Sequence, residues 1–385
     1  MRWIVTDNIY AETWRNLLEF ANVDLTMDTI VRLHGQPTDK SARSNYSKQA
    51  RQARLCVLQA KEYFDAASNS SLFTSPNHAY YGAVSLASLC LLLRGDGRCS
   101  LDALRADPRN NHHGLRLTTG CSPSTATAGI SLLEHTRAEI LNHGHFGNWY
   151  RALPPRGNVY AFVKQDHGST GSVNYLPAGG YDLPPLAGLI GTSNTLLELL
   201  KYLPDLDRDL DRAGIMFPRS RTRHDIEVTR DAINKQTWFV HGCQTLNDLE
   251  ALLSRFSVNA SHAGSLDGIV DEGRNAAIVT LQFKQPTEIG VTWPTARETL
   301  NHDTISYAAE RETYEVIDLY LVAYQLSMLS RYYPDIWIAC IESRCRGAKL
   351  IEKAVDLVVK KLPILMLSLV SPEDVVISTH REPWK

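Results

Sequence analysis

Between Ser44 and Leu93 the chain reads SNYSKQARQARLCVLQAKEYFDAASNSSLFTSPNHAYYGAVSLASLCLLL, and no other stretch constrains the fold as tightly. Ala50, Ala53, Val57, Ala60, Phe64 and Ala67 recur at steps of three and four, which puts them on one face of a helix. Four of these six are alanine, so a neighbouring helix can approach closely along the seam. Arg51, Arg54, Lys61, Glu62 and Asp65 fall on the opposite, solvated side. The turn Ser68-Asn69-Ser70-Ser71 ends this helix, and Ser75-Pro76 reads as an N-cap followed by proline at the first helical position. From Ala79 to Leu93 nearly every residue is apolar or small, so the second helix is predicted to be covered on all sides. It is short for a membrane span, and Ser85 and Ser88 interrupt it. The stretch is a core helical hairpin.

Around it the pattern predicts a mostly α fold, a helical bundle body with a small antiparallel β-containing insertion. Helices are expected at Ile9–Phe20, Ala126–Asn142, Thr192–Leu203, Arg311–Tyr333, Ile336–Arg344 and Ala348–Leu362, with a short one starting after Ser100. Pro204, Pro334 and Pro363 are read as breaks. Leu153 to Pro185 is rich in Gly and Pro and reads as loop or short extended pieces. Between Ile215 and Trp293, Ile226-Glu227-Val228, Trp238-Phe239-Val240, Ala277–Phe283 and Ile289–Trp293 read as strands, with a helix at Leu246–Phe256 among them. The expected division is 1–43 as lead-in with one helix, 44–205 as a helical domain, 206–300 as the α+β insertion, and 301–385 as helices closing on the same core.

Composition narrows the function classes. With 385 residues, 44% hydrophobic and 21% charged, the chain is that of a globular protein, and its net charge of −2 gives no global field drawing nucleic acid. Seven cysteines without a CxxC pair argue for reduced thiols in a cytoplasmic protein rather than a disulfide framework or zinc ribbon. The N-terminal residues hold no apolar run suited to a signal peptide, and no 18-residue apolar stretch follows, so no membrane association is expected.

Three places, taken in order, resemble the YaaC-like family of uncharacterised bacterial proteins. The first is Gln59-Ala60-Lys61-Glu62-Tyr63-Phe64 with Pro76 and Tyr80-Tyr81-Gly82. The second is His113-Gly114-Leu115. The third runs from Tyr324 through Gln325-Leu326-Ser327-Met328-Leu329-Ser330-Arg331 to Tyr332, followed by Pro334 and Trp337. The resemblance spans about residues 45–365 and implies a mostly helical protein without a known reaction. It departs in one respect: only Arg116 follows His113-Gly114 closely, where the family often carries a basic cluster. More weakly, the hairpin with Ala79-Tyr80-Tyr81 is similar to the HEPN group of helical domains. Many of those cut RNA without metal, using an arginine and a histidine with four to six residues between them; others have lost the pair and serve as binding modules.

Two spacings fit that arginine–histidine pattern. Arg105 and His112 have six residues between them, and Arg137 and His143 have five. A histidine can move the 2′-hydroxyl proton while an arginine stabilises charge on the phosphate, with no cofactor. The plain alternative is that these are surface and cap residues, and that His113 fixes its loop to the hairpin. His112-His113 and His143-Gly144-His145 lack a carboxylate or cysteine at ligand spacing, so no metal site is expected. Arg219, Arg221, Arg223, His224 and Arg230 are the one basic concentration, and with Trp238 and Phe239 nearby they can bind RNA or DNA; a solvated sheet edge guarded by charge explains the same residues. There is no P-loop, no GxSxG, no HExxH, and Asp225, Glu227 and Lys235 do not make a nuclease cluster. Two readings remain. One is a binding or assembly module for a protein partner, encoded nearby in a bacterial defence or toxin system, or for nucleic acid. The other is a metal-independent ribonuclease of HEPN type.

Overall fold

The computed structural model describes residues 2–6, 8–95, 99–154, 157–164, 170–179, 183–216, 219–229, 232–241, 245–247, 250, 263–271, 276–287, 296–298, 300, 304–307, 313–373 and 375–378. A short strand, β1 (Arg2–Val5), precedes α1 (Ile9–Leu17), which tightens into a 3₁₀ turn over Leu18–Ala21. Trp14, Leu17 and Phe20 are buried. A helix the pattern did not show follows: α2 (Val23–His34), started by Asn22, whose side chain accepts from the N–H groups of Asp24 and Leu25.

The hairpin is α3 (Lys40–Asn69) and α4 (Ser75–Arg94). The six seam residues from Ala50 to Ala67 are all buried. Gly82 lies where a Cβ would stand 2.7 Å from the Phe64 ring, so the two backbones approach as closely as the alanines permit. Ser75 is not the cap. It is already helical, and its Oγ donates across the hairpin to the Ala67 carbonyl at 2.8 Å. The far end of α4 is closed by side chains: Gln49 Nε2 donates to the Leu92 carbonyl at 2.7 Å, and His34 Nε2 lies 2.7 Å from the Leu93 carbonyl. Ser85 and Ser88 satisfy their hydroxyls on the carbonyls four residues back, which lets a fully covered helix carry them.

After α5 (Leu101–Ala106), capped by Ser100, the chain forms β2 (Leu115–Thr119), α6 (Pro123–Ala126), α7 (Ser131–His135) and β3 (Thr136–Ile140). The helix expected over 126–142 therefore does not form: the stretch holds the last residue of α6, the short α7 and then β3. Gly129 at φ +56° interrupts it, and Thr136-Arg137-Ala138-Glu139-Ile140 alternates buried and outward positions while pairing antiparallel with β2. Next come α8 (His145–Ala152), β4 (Gly157–Lys164), β5 (Thr170–Gly179), α9 (Leu186–Leu189), β6 (Ser193–Thr195), α10 (Leu196–Lys201) and α11 (Asp207–Arg212). The Gly/Pro-rich stretch after Leu153 thus carries two strands.

The later strands are β7 (Arg219–Thr229), β8 (Ala232–His241), β9 (Ala263–Asp271), β10 (Ala276–Thr287), β11 (Ala296–Glu298) and β12 (Thr304–Tyr307). Three helices follow: α12 (Glu315–Tyr332), α13 (Pro334–Ser343) and α14 (Arg346–Val370), then β13 (Val375–Ser378). The strand expected at Ile289–Trp293 lies outside the described residues, as does most of the helix expected at Leu246–Phe256.

The body is mostly helical with an antiparallel β portion, the class the pattern predicts. The larger sheet is more extensive than a local insertion: among the described residues its ten strands include β1, which pairs in parallel with β13, and β13, which pairs in parallel with β4, beside the antiparallel β4, β5, β7, β8, β10 and β9. Pro363 does not break the last helix. Leu362 through Val370 are buried without exception, and that burial outweighs the roughly 3 kcal/mol a mid-helix proline costs. Both α12 and α14 pack against α4, so the C-terminal helices close the core begun by the hairpin.

Candidate aromatic and arginine site

The three sequence stretches that stand far apart in the chain meet around Tyr80 on α4. Asn77 near the start of α4 accepts hydrogen bonds from Ser327 and Ser330 of α12, each at 3.0 Å, which sets the register of the two helices. Tyr80 is fully buried, and its ring meets Tyr320 and Tyr324 edge-on at 5.7 and 5.5 Å. Its hydroxyl is 3.0 Å from His113 Nδ1. Tyr324 in turn donates to the Leu115 carbonyl at 2.9 Å, tying the loop after His113 to α12.

Two glycine turns hold the histidines. Gly114 (φ +79°) and Gly144 (φ +102°) pass so closely that a Cβ on Gly144 would stand 2.5 Å from the Gly114 nitrogen. The His112 and His113 carbonyls accept the N–H groups of His145 and Phe146, both at 2.9 Å, and thereby satisfy the first turn of α8. His145 then bridges inward, with Nε2 2.9 Å from Ser88 Oγ and Nδ1 3.2 Å from the Tyr320 hydroxyl. The doublet and the His-Gly-His run are thus structural partners. Among the described residues no cluster suited to a metal ion occurs.

On the outer side, Tyr81 stacks on Tyr63 at 5.6 Å with an interplanar angle of 29°. Arg331 donates to the Tyr81 hydroxyl at 2.6 Å and to the Tyr332 hydroxyl at 3.0 Å. Its guanidinium carbon lies 5.4 Å from the Tyr81 ring centre and 4.9 Å from that of Tyr332, whose side is 62% exposed. Among the described residues no carboxylate pairs with Arg331. Burial, followed by the nearby Arg331 and His112, lowers the pKa of His113. Burial and then His113 lower His145 to about 4. Burial raises Tyr80 well above its ordinary value and Tyr324 to about 12. At neutral pH both histidines and all three core tyrosines are uncharged, and Arg331 is the fixed charge of the cluster.

Burial of His145 has a measurable consequence. The unfolded chain protonates this imidazole near 6.5 and the folded chain only near 4, so the folded state binds fewer protons in between. Stability from this group is complete above pH 6.5 and lost as pH falls toward 4, by on the order of 2–3 kcal/mol. Urea unfolding of wild type and His145→Gln at both pH values is expected to show a shallower decline in the variant. Equal declines would contradict the assignment.

A family model described as YaaC-like Protein matches residues 28–370. The chain belongs to the YaaC-like family. Comparison with curated proteins and with solved structures returned no match. The family-resembling residues Tyr63, Tyr80, Tyr81, His113, Tyr324, Arg331 and Tyr332 are the ones this site is made from.

Arg105 is exposed on α5 and paired with Asp102 at 2.7 Å, while His112 Nδ1 accepts the Gly114 N–H at 3.0 Å. Arg137 lies at an outward position of β3, opposite Thr118 and Thr195, and not at a helix end; His143 precedes the Gly144 turn. Among the described residues no hydrogen bond or ion pair joins either arginine to its histidine. Arg219, Arg221 and Arg223 occupy alternate positions of β7; Arg223 is in register with Phe239 of β8, and Trp238 faces His224. Their side chains, and Arg230 altogether, lie outside the described residues. Among the described residues no helix is long and apolar enough to cross a membrane.

Proposed function

We propose that this chain is a binding module for single-stranded nucleic acid, working through the face of Tyr63, Tyr81, Arg331 and Tyr332 beside His113. One observation carries the reading: a guanidinium held by two tyrosine hydroxyls and rings, with no carboxylate among the described residues to neutralise it. Such an arginine retains its charge for a phosphate, while an exposed tyrosine offers a face on which any base can stack. The arginines of β7 would add electrostatic attraction that carries no sequence preference. Fluorescence anisotropy with a short single-stranded RNA is expected to show binding that weakens with salt and drops roughly tenfold or more in Arg331→Ala, since a stacked base and its phosphate are worth about 1–3 kcal/mol. Unchanged affinity in the variant would remove this face as the site. No affinity at any salt would leave a protein partner as the occupant.

A second reading, cleavage of RNA without metal, is favoured by one feature of the same place. His113 Nδ1 is held by Tyr80, its Nε2 carries no hydrogen bond among the described residues, and Arg331 is near enough to lower its pKa. A neutral imidazole with a free nitrogen beside a cation is what 2′-hydroxyl activation needs. Cleavage assayed with chelator present should then vanish in His113→Ala and persist in His112→Ala and His143→Ala. A wild-type chain that binds RNA and cuts none is a binding module alone.

A further inference from the structure

Away from that face, two cysteines stand together where α13 gives way to α14. Cys340 is fully buried on α13, and Cys345 is the half-buried N-cap of α14; their sulfurs are 3.9 Å apart. Between them Arg344 adopts φ +52°, ψ 28°, and it is the non-glycine residue with positive φ among the described residues. A left-handed turn at an arginine is strained, and here it folds the chain back so that the two thiols face each other. We propose that Cys340 and Cys345 are a redox-active dithiol that closes to a disulfide by exchange with a low-molecular-weight disulfide.

The two sulfurs are set up for different parts. Cys345 Sγ accepts the Ala348 N–H at 3.4 Å at the start of a long helix, a position that favours a thiolate. Burial pushes this thiol up, but hydrogen bonds involving Ser343, the Ala348 N–H, Cys340 and the Gly347 N–H bring it below its ordinary value. Cys340 is raised by burial and then by its neighbour Cys345, so it stays protonated until called on. Cys345 also has the exposure an incoming reagent needs. Its thiolate attacks one sulfur of the small disulfide, that S–S bond breaks, and one small thiolate leaves and takes a proton from water. Cys340 then gives up its proton and attacks Cys345 Sγ, expelling the second small thiolate. The protein loses two thiol hydrogens, and the small disulfide is reduced to two thiols. A bond needs the sulfurs near 2.05 Å, so closure requires the half-buried Cys345 side chain to turn toward Cys340 from their 3.9 Å separation.

The test is native incubation of the full chain with oxidised glutathione, followed by alkylation, tryptic digestion without reduction, and mass spectrometry. Cleavage after Arg344 and Arg346 separates the two cysteines, so an internal bond appears as the Cys340 peptide joined to the Cys345 dipeptide. That linked pair is expected in wild type, lost on adding dithiothreitol and absent in Cys345→Ser. Cys340→Ser should stop at glutathione bound to Cys345. Both thiols alkylated in wild type, a lasting mixed disulfide at Cys345, or a bond from Cys345 to Cys121 would each overturn the proposal.

Discussion

Lys361→Met should cost about 3–5 kcal/mol of folding stability, the loss expected when one partner of a buried ionic group is removed. Lys361 is fully buried on α14, with Nζ 2.7 Å from Asp205 Oδ2 and 2.6 Å from Glu315 Oε1. Burial alone would lower its pKa, but Asp205 and Glu315 outweigh that and raise it, so the ammonium stays charged. Glu315 moves up because its burial outweighs the attraction of Lys361 and Arg297. Beside it Arg297 donates to Asp318 at 2.8 Å and to the Tyr202 and Thr313 carbonyls, joining β11 to the start of α12. Methionine fills the stem's volume and leaves two carboxylates facing each other in the core. Lys360→Met, which breaks only the exposed pair with Asp356, should stay within about 0.5 kcal/mol of wild type. Urea unfolding of both variants makes the comparison, and similar losses would contradict the buried network.

Trp149→Ala is expected to cost about 3–5 kcal/mol as well, through the cavity it leaves. Trp149 on α8 is fully buried, 4.8 Å from Tyr320 and 6.1 Å from Phe146, and so underlies the Tyr80 cluster. Its removal takes support from Phe146 and Tyr320 together. A thermal midpoint within a few degrees of wild type would show that α8 is not anchored this way.

The hairpin was legible because its cause is local: six residues at helical spacing specify one face, and an apolar run long enough to be covered must be covered. The helix misread over 126–142 shows the limit. Ile130, Leu133, Ile140 and Leu141 fit a helical period, yet the alternation from Thr136 to Ile140 finds a partner in β2, and the ladder wins. No local signal could have revealed that, since β2 lies some twenty residues upstream. Nothing local in the sequence tells Lys361 from its neighbour Lys360, and only a fold that brings Asp205 and Glu315 to it makes it core. The site shows the same division. Its motifs were visible one by one, but the meeting of Tyr81, His113 and Arg331 depends on packing between helices more than two hundred residues apart. Sequence spacing selected Arg105 with His112 and Arg137 with His143; that Arg331 acts on His113 follows only from long-range packing.

Photo-crosslinking a 4-thiouridine-labelled single-stranded RNA to the full chain, with peptide mapping of the adducts, tests the binding face most directly. Adducts at Tyr63, Tyr81 or Tyr332 that diminish in Arg331→Ala are the expected result. Adducts confined to the strands from Arg219 to His241, or none under conditions where the RNA binds, would place recognition elsewhere and contradict the account.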